Sequence, residues 1–219
     1  QLILNLAMRQ LSTIQTSFLP DELRIENENK LERVFWDQVQ QRDNSSLKKM
    51  FFDAFRGVAQ TDEALQKLEK IWGQEITPDG IRFSENDYIG MATTLAIRNP
   101  DRAQYFINNQ LERIKNEDRR RRFEFIAPAL SGSELIRDEF FYSLMDEENR
   151  QTESWVLAGL RALHHPSRRS ESEKYILPSL ILLEEIQQTG DIFFPKRWLD
   201  ATLGNYNSAS AVKTVDKFL

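Results

Sequence analysis

Residues 155–195 read WVLAGLRALHHPSRRSESEKYILPSLILLEEIQQTGDIFFP, from Trp155 to Pro195. Trp155, Val156, Leu160 and Leu163 recur three and four apart, the spacing of one helix face, and run into His164-His165-Pro166. A polar loop, Ser167-Arg168-Arg169-Ser170, leads to the most apolar helix of the chain, Tyr175 to Leu183. That helix stops at Thr189-Gly190-Asp191, and Ile192-Phe193-Phe194 leads into Pro195. The stretch predicts two helices packed back to back, closed by an aromatic plug for the next helix to cover.

The same grammar extends in both directions. Leu4, Ala7, Met8, Leu11 and Ile14 predict a helix over residues 2–16. A second begins at Pro20-Asp21-Glu22, with proline in the first turn and acids near the positive end of the dipole, and carries Leu23, Leu31, Val34, Phe35 and Val39 inward. Asn44-Ser45-Ser46 matches a glycosylation sequon and reads as a turn. Two helices follow, one burying Met50, Phe51, Ala54, Phe55 and Val58, the next Leu65, Leu68 and Trp72. Pro78-Asp79-Gly80 is a turn by its chemistry, and Ser84 with Asp87 resembles a capping box before a helix from Tyr88 to Arg98. Asn99-Pro100, Asn116 and Ser133 each open a further helix, and Ser208 caps the last one.

About a dozen helices, no convincing strand and short connections give an all-α fold. From the third helix on, the elements pair, and pair starts lie roughly 30 to 45 residues apart, the spacing of HEAT- and armadillo-like repeats. The expectation is an irregular α-α superhelix forming one helical-repeat domain over residues 1–219. The composition agrees: 40% hydrophobic and 29% charged residues suit a water-soluble core, and the scarcity of glycine (8) and proline (7) disfavours a turn-rich sandwich or barrel. A net charge of −5 argues against a general nucleic-acid binder. The absence of cysteine excludes disulfides, thiolate metal sites and a thiol nucleophile. No run approaches the roughly 20 apolar residues needed to span a bilayer. Gln1 stands abruptly inside a helical pattern, which suggests a piece of a longer chain.

Candidate chemistry is sparse. His164 and His165 are the only histidines, and neighbours on a helix point about 100° apart, so they do not converge on one metal. One packs, on this reading, and the other sits near a helix C-terminus where the dipole favours an imidazolium. Arg119-Arg120-Arg121-Arg122 is an anion-site candidate in a helix's first turn, with Glu117, Asp118 and Glu124 available as local partners. It is either a solvated, internally paired face or a contact for a partner domain or a carboxylate ligand. Asp146-Glu147-Glu148 and Glu184-Glu185 read as solvated acids, and no nucleophile, base and oxyanion donor assemble. No phosphate-binding loop or dinucleotide fingerprint is present, and the aromatic residues fall at core spacing.

Several fragments, in order, resemble the C-terminal helical domain of zinc aminopeptidases of the aminopeptidase N family. They are Phe55-Arg56-Gly57-Val58-Ala59, Leu68-Glu69-Lys70-Ile71-Trp72, Ala127-Pro128-Ala129-Leu130-Ser131, Trp155-Val156-Leu157 through His164-His165-Pro166, Tyr175-Ile176, and Thr189-Gly190-Asp191-Ile192-Phe193-Phe194-Pro195. The similarity extends from the helix around Leu31 to Lys217-Phe218-Leu219. In that family the HExxH motif, the distant glutamate ligand and the GxMEN-type motif lie upstream, and Gly90-Met91-Ala92-Thr93 is not the last of these. No catalytic or metal residue therefore carries over.

The resemblance implies a HEAT-like wall without a cofactor of its own, with zinc bound in the upstream catalytic domain. That domain of the same polypeptide and the parent's peptide substrates would be the partners, and the wall would gate peptide entry to the active-site chamber. Arg119, Arg120, Arg121 and Arg122 would be the candidates for meeting a peptide carboxylate or the domain interface. The resemblance leans to the bacterial periplasm or cell envelope, with the cytoplasm as the other location. The other reading is a free-standing helical-repeat scaffold that holds protein partners.

Overall fold

A computed structural model describes residues 2–19 and 21–219, and these are all-α, with no strand among them. No helix among them is long and apolar enough to cross a membrane. They divide into two compact units, residues 1–98 and 99–219.

The first unit holds α1 (Leu2–Thr13), a π-helical turn (Ile14–Phe18), α2 (Asp21–Gln41), α3 (Ser45–Val58), α4 (Asp62–Trp72) and α5 (Glu85–Arg98). α2 lies along α3, α1 also rests on α3, and α4 packs on α5. The core is aromatic: Phe35, Phe51, Phe52, Phe55 and Trp72 are buried with Leu68 and Met91. Three helix starts obey the local chemistry of their residues. Asn44 and Thr61 accept from the amides of Leu47 and Ala64, at 3.0 and 3.2 Å. Asp87 accepts from the Ser84 amide at 2.7 Å while its own amide reaches Ser84 Oγ at 3.4 Å, the reciprocal capping box. Gly80 takes φ of 75° in the turn after Pro78, a conformation that favours glycine.

Two expectations for this unit change. The stripe assigned to α1 is mostly in water: Met8 is buried, whereas Leu4, Leu11 and Ile14 are exposed, and the α-helix ends at Thr13. On α2, Phe35 and Val39 are buried but Leu23 and Val34 are exposed. A helix lying on one neighbour buries a narrow seam, so a stripe drawn from spacing alone is too wide. The first-turn role of Pro20 falls outside the described residues.

The second unit opens with a 3-10 turn (Pro100–Arg102), then α6 (Ala103–Arg113), α7 (Glu117–Leu130), α8 (Glu134–Ser143) and a 3-10 turn (Glu147–Arg150). α9 (Glu153–Leu163) follows, and a 3-10 turn (Pro166–Arg168), α10 (Arg169–Ser172) and another 3-10 turn (Glu173–Tyr175) lead to α11 (Ile176–Ile181). The chain closes with α12 (Leu183–Thr189), α13 (Phe194–Leu203) and α14 (Ala209–Phe218). α7 packs on α6, α8 and α9; α13 packs on α9, α11 and α12; α14 rests on α11. Gly159 lets α9 approach α8, because a β-carbon there would collide with the Phe140 ring.

The stretch that predicts the fold is more broken than its apolar pattern suggests. The polar loop at residues 167–170 is wound into helical turns with Arg168 buried. The helix assigned from Tyr175 is a 3-10 turn followed by α11 and α12. Pro178 lacks the amide that would bond back to the carbonyl of residue 174, so the α-helix starts at Ile176, with proline in its first turn. Of the aromatic plug only Phe194 is buried; Ile192 and Phe193 are 85% and 59% exposed. Ser133 makes no side-chain cap, and its amide instead bonds Ser131 Oγ at 3.1 Å.

Glu32 offers a sharp test of the first unit. Its buried carboxylate accepts from the amides of Gln60 and Thr61, at 2.6 and 2.9 Å, and from Thr61 Oγ1 at 2.6 Å, tying α2 to the start of α4. Glu32→Ala leaves buried donors unmatched and is expected to cost about 2–4 kcal/mol. Denaturant unfolding followed by tryptophan fluorescence checks this, and a loss under about 0.5 kcal/mol, the level of a surface substitution, contradicts it.

Candidate functional site

Helix α7 begins with the arginine run. Asn116 accepts from the Arg119 amide at 3.0 Å and starts the helix, which places Arg119, Arg121 and Arg122 in water and Arg120 half-buried. Arg120 pairs with Glu124 at 3.1 Å and reaches the carbonyl of Leu111 at 3.3 Å, and Arg121 pairs with Glu117 at 3.3 Å. The middle of the run is thus an internally paired helix face. Arg119 and Arg122, three residues apart, share the neighbouring face.

The other end of α7 holds what the sequence does not advertise. The last carbonyls of a helix have no partner within it. Arg168 donates to the carbonyls of Ala129 and Leu130, at 2.8 and 2.9 Å, and Arg137 donates to those of Ser131 and Gly132, both at 2.9 Å. Both arginines are buried. Arg137 also pairs with Glu171. Burial, with Arg137 close by, lowers Arg168 to about 10, so it still carries its charge at neutral pH. The end of α8 repeats the device: buried Arg150 donates to the carbonyls of Leu144 and Met145, at 2.6 and 3.1 Å, and pairs with Glu185.

Glu185, read as a solvated acid, is therefore a structural counterion. In the other carboxylate cluster, Asp146 caps a turn by accepting from the Glu148 amide at 3.0 Å. A second polar group lies between α8 and the turn before α11. Lys174 bridges Glu134 and Asp138, both at 2.6 Å, and the Tyr175 hydroxyl bonds Asp138. Burial opposes ionisation of Asp138, but the bonds from Lys174 and Tyr175 outweigh it and hold the carboxyl below its usual range.

The histidines diverge as their adjacency requires. His164 caps α9 and is fully buried, with Nδ1 2.7 Å from the Tyr206 hydroxyl and Nε2 without a hydrogen-bond partner. Burial lowers it to about 3, so it is neutral. His165 lies at the start of the next turn, where Nδ1 accepts from the Ser167 amide at 3.2 Å. Among the described residues no three histidine, cysteine, aspartate or glutamate side chains are grouped to hold a metal ion.

A cleft of about 820 Å³ lies between α1 and α3 in the first unit, lined by Met8, Arg9, Met50 and Asp53 among others. Its polar side chains include Lys49, which is paired with Asp53 and Asp87, at 2.7 and 2.8 Å. Compared with known proteins, the sequence matches no family model and no curated protein.

The buried arginines escape a pattern search because they occupy positions reserved for apolar residues. Arg137 lies four and seven residues before Phe141 and Leu144, on their stripe. A long-range signal exists: Arg137 and Glu171 are 34 residues apart and Arg150 and Glu185 are 35 apart, one helix-pair length each. Arg168→Met is expected to cost about 3–5 kcal/mol, because it strands two buried carbonyls and leaves Glu171 facing Arg137 alone. The double substitution Arg119→Ala and Arg122→Ala is expected to shift stability by no more than about 0.5 kcal/mol. Urea unfolding of the two variants compares them directly, and equal losses contradict the assignment of structural and surface roles.

Proposed function

We propose that this chain is a non-catalytic helical wall, the C-terminal domain of a zinc aminopeptidase related to aminopeptidase N. It packs on the catalytic domain of the same polypeptide and gates peptide entry to the active-site chamber. One observation carries the reading: the fragments that resemble the family are the joints of the helical scaffold. Ala127–Ser131 is the end of α7 that receives Arg168 and Arg137. Trp155–Pro166 is α9 with its buried cap His164, and Tyr175 and Ile176 are buried at the start of α11. Thr189–Pro195 is the joint from α12 to α13, anchored by Phe194. Residues that seat one helix on the next serve a superhelical wall better than they serve a reaction.

On this reading zinc belongs to the upstream domain. The face of α7 that carries Arg119 and Arg122 lies in water, where a peptide carboxylate or the domain interface would meet it.

Reading upstream of Gln1 in the gene tests the proposal. An HExxH motif with a downstream glutamate is expected, and a stop codon or an unrelated domain overturns it. The purified chain is expected to leave aminoacyl anilides intact with zinc present, whereas the parent hydrolyses them. In the parent, Arg119→Glu with Arg122→Glu is expected to raise KM several-fold for peptides with a free C-terminal carboxylate while leaving aminoacyl anilides unaffected. Equal effects on both substrates remove the carboxylate role.

A further inference from the structure

The connection from α13 to α14 holds polar contacts that the scaffold reading does not use. α13 ends at Leu203, and residues 204–208 lead to Ser208, which caps α14 by accepting from the Ala211 amide at 3.1 Å. Helix α14 rests on α11. Ala211 is its buried residue, set against Ile176 and Leu180, with Val215 partly buried beside it, while Val212 and Phe218 are exposed. Such a small apolar contact holds a helix weakly.

Polar contacts add to this attachment. Asn205 Nδ2 donates to the carbonyl of His164 at 3.0 Å, the Tyr206 hydroxyl meets His164 Nδ1 at 2.7 Å, and the Ser208 hydroxyl donates to Glu173 at 2.8 Å. His164 is central to them. It lies in an aromatic box, edge-on to Tyr206 and Tyr175, with ring centroids 5.6 and 6.0 Å away. Its Nε2 has no acceptor within reach. A neutral imidazole leaves one nitrogen unmatched, which is tolerable. An imidazolium would bury both a charge and a charged N–H with nothing to receive it.

We propose that residues 204–208 form a hinge latched by His164 and Tyr206, so that acidification releases α14 from the second unit and uncovers Ile176 and Leu180. Opening exposes the imidazole to water, where it takes up a proton, and the protonated ring cannot return to the box. Other titratable groups surround the latch on each element packed against it. Tyr206 comes from the hinge, Tyr175 and Glu173 from the turn before α11, and Arg169 from α10, with Asp138 of α8 behind Tyr175. Glu173 also holds the hinge, through its bond from Ser208, so Glu173→Gln separates that contact from His164.

The sign follows from linkage. Neutral His164 is required closed, with its affinity for protons depressed to about 3, whereas the open form titrates near 6.5. The latch is therefore complete above 6.5 and weakens as pH falls from there toward 3. The open-to-closed ratio rises up to tenfold per pH unit in that window.

Hydrogen exchange of the full chain between pH 7.5 and 4.5, corrected for intrinsic rates, reads this out. Protection across residues 210–218 is expected to fall by up to tenfold per unit below pH 6.5, while residues 157–163 of α9 hold theirs. His164→Gln is expected to abolish the slope and Glu173→Gln to retain it. If the glutamine variant at 164 does not fold, Tyr206→Phe serves: it keeps the ring, removes the hydroxyl and is expected to lower α14 protection at pH 7 several-fold. A flat profile in the unmodified chain, a slope that survives His164→Gln, or one that vanishes in Glu173→Gln overturns the proposal. So does full α14 protection at pH 7 in Tyr206→Phe.

Discussion

The second unit depends on how one helix ends. Carbonyls 129 to 132 run from the last turn of α7 into the loop after it, and Ala129, Leu130 and Ser131 are buried. Two guanidinium groups from later in the chain, Arg168 and Arg137, take these carbonyls. Each brings positive charge to the negative end of the helix dipole, so the hydrogen bonds and the dipole act in the same direction. Arginine suits the task because its planar fork reaches two carbonyls at once and keeps its charge when buried. The arrangement also fixes neighbours. Arg137 belongs to α8 and Arg168 to the turn after α9, so one helix end sets the position of two others.

The same physics appears wherever a helix end is closed from a distance. At α8 the closing group is Arg150. In the first unit Arg98 reaches the carbonyl of Gly57, beside the end of α3, at 2.7 Å. At the opposite pole, Glu32 supplies a carboxylate to the amides at the start of α4. Anions sit at starts and cations at ends, each drawn from another element. Glu171 and Glu185 keep about half of their side chains in water while pairing with buried arginines, 53% and 47% exposed, which reduces the cost of taking the ion pairs out of solvent.

Much of the architecture is legible in the residues because it is local. Helix starts at Asn116 and Ser208 follow from side chains that cap their own next turn. The turn at Gly80 follows from backbone freedom, and the aromatic positions at Phe55, Phe141 and Trp198 follow from spacing. Expectations fail where the deciding partner is far away in sequence. Leu11 and Leu23 match an apolar stripe and remain in water, since periodicity does not report how wide a face the neighbour covers. Arg168 sits in a stretch that reads as a polar loop, yet it is buried by carbonyls 38 and 39 residues earlier. That one of the two histidines packs is legible, but not that it is His164, whose bond to Tyr206 crosses 42 positions and leaves no local trace. The paired face of the arginine run was legible, because its acids lie four residues away on the same helix.

A helix closed from so far downstream has a history in time. During synthesis the end of α7 leaves the ribosome with its carbonyls bare, and Arg168 is 38 residues further along than Leu130. Until that guanidinium emerges, the nascent segment can coil but cannot lock. Translation speed across the intervening codons thus sets how long an unfinished helix end stays open to chaperones or to wrong neighbours.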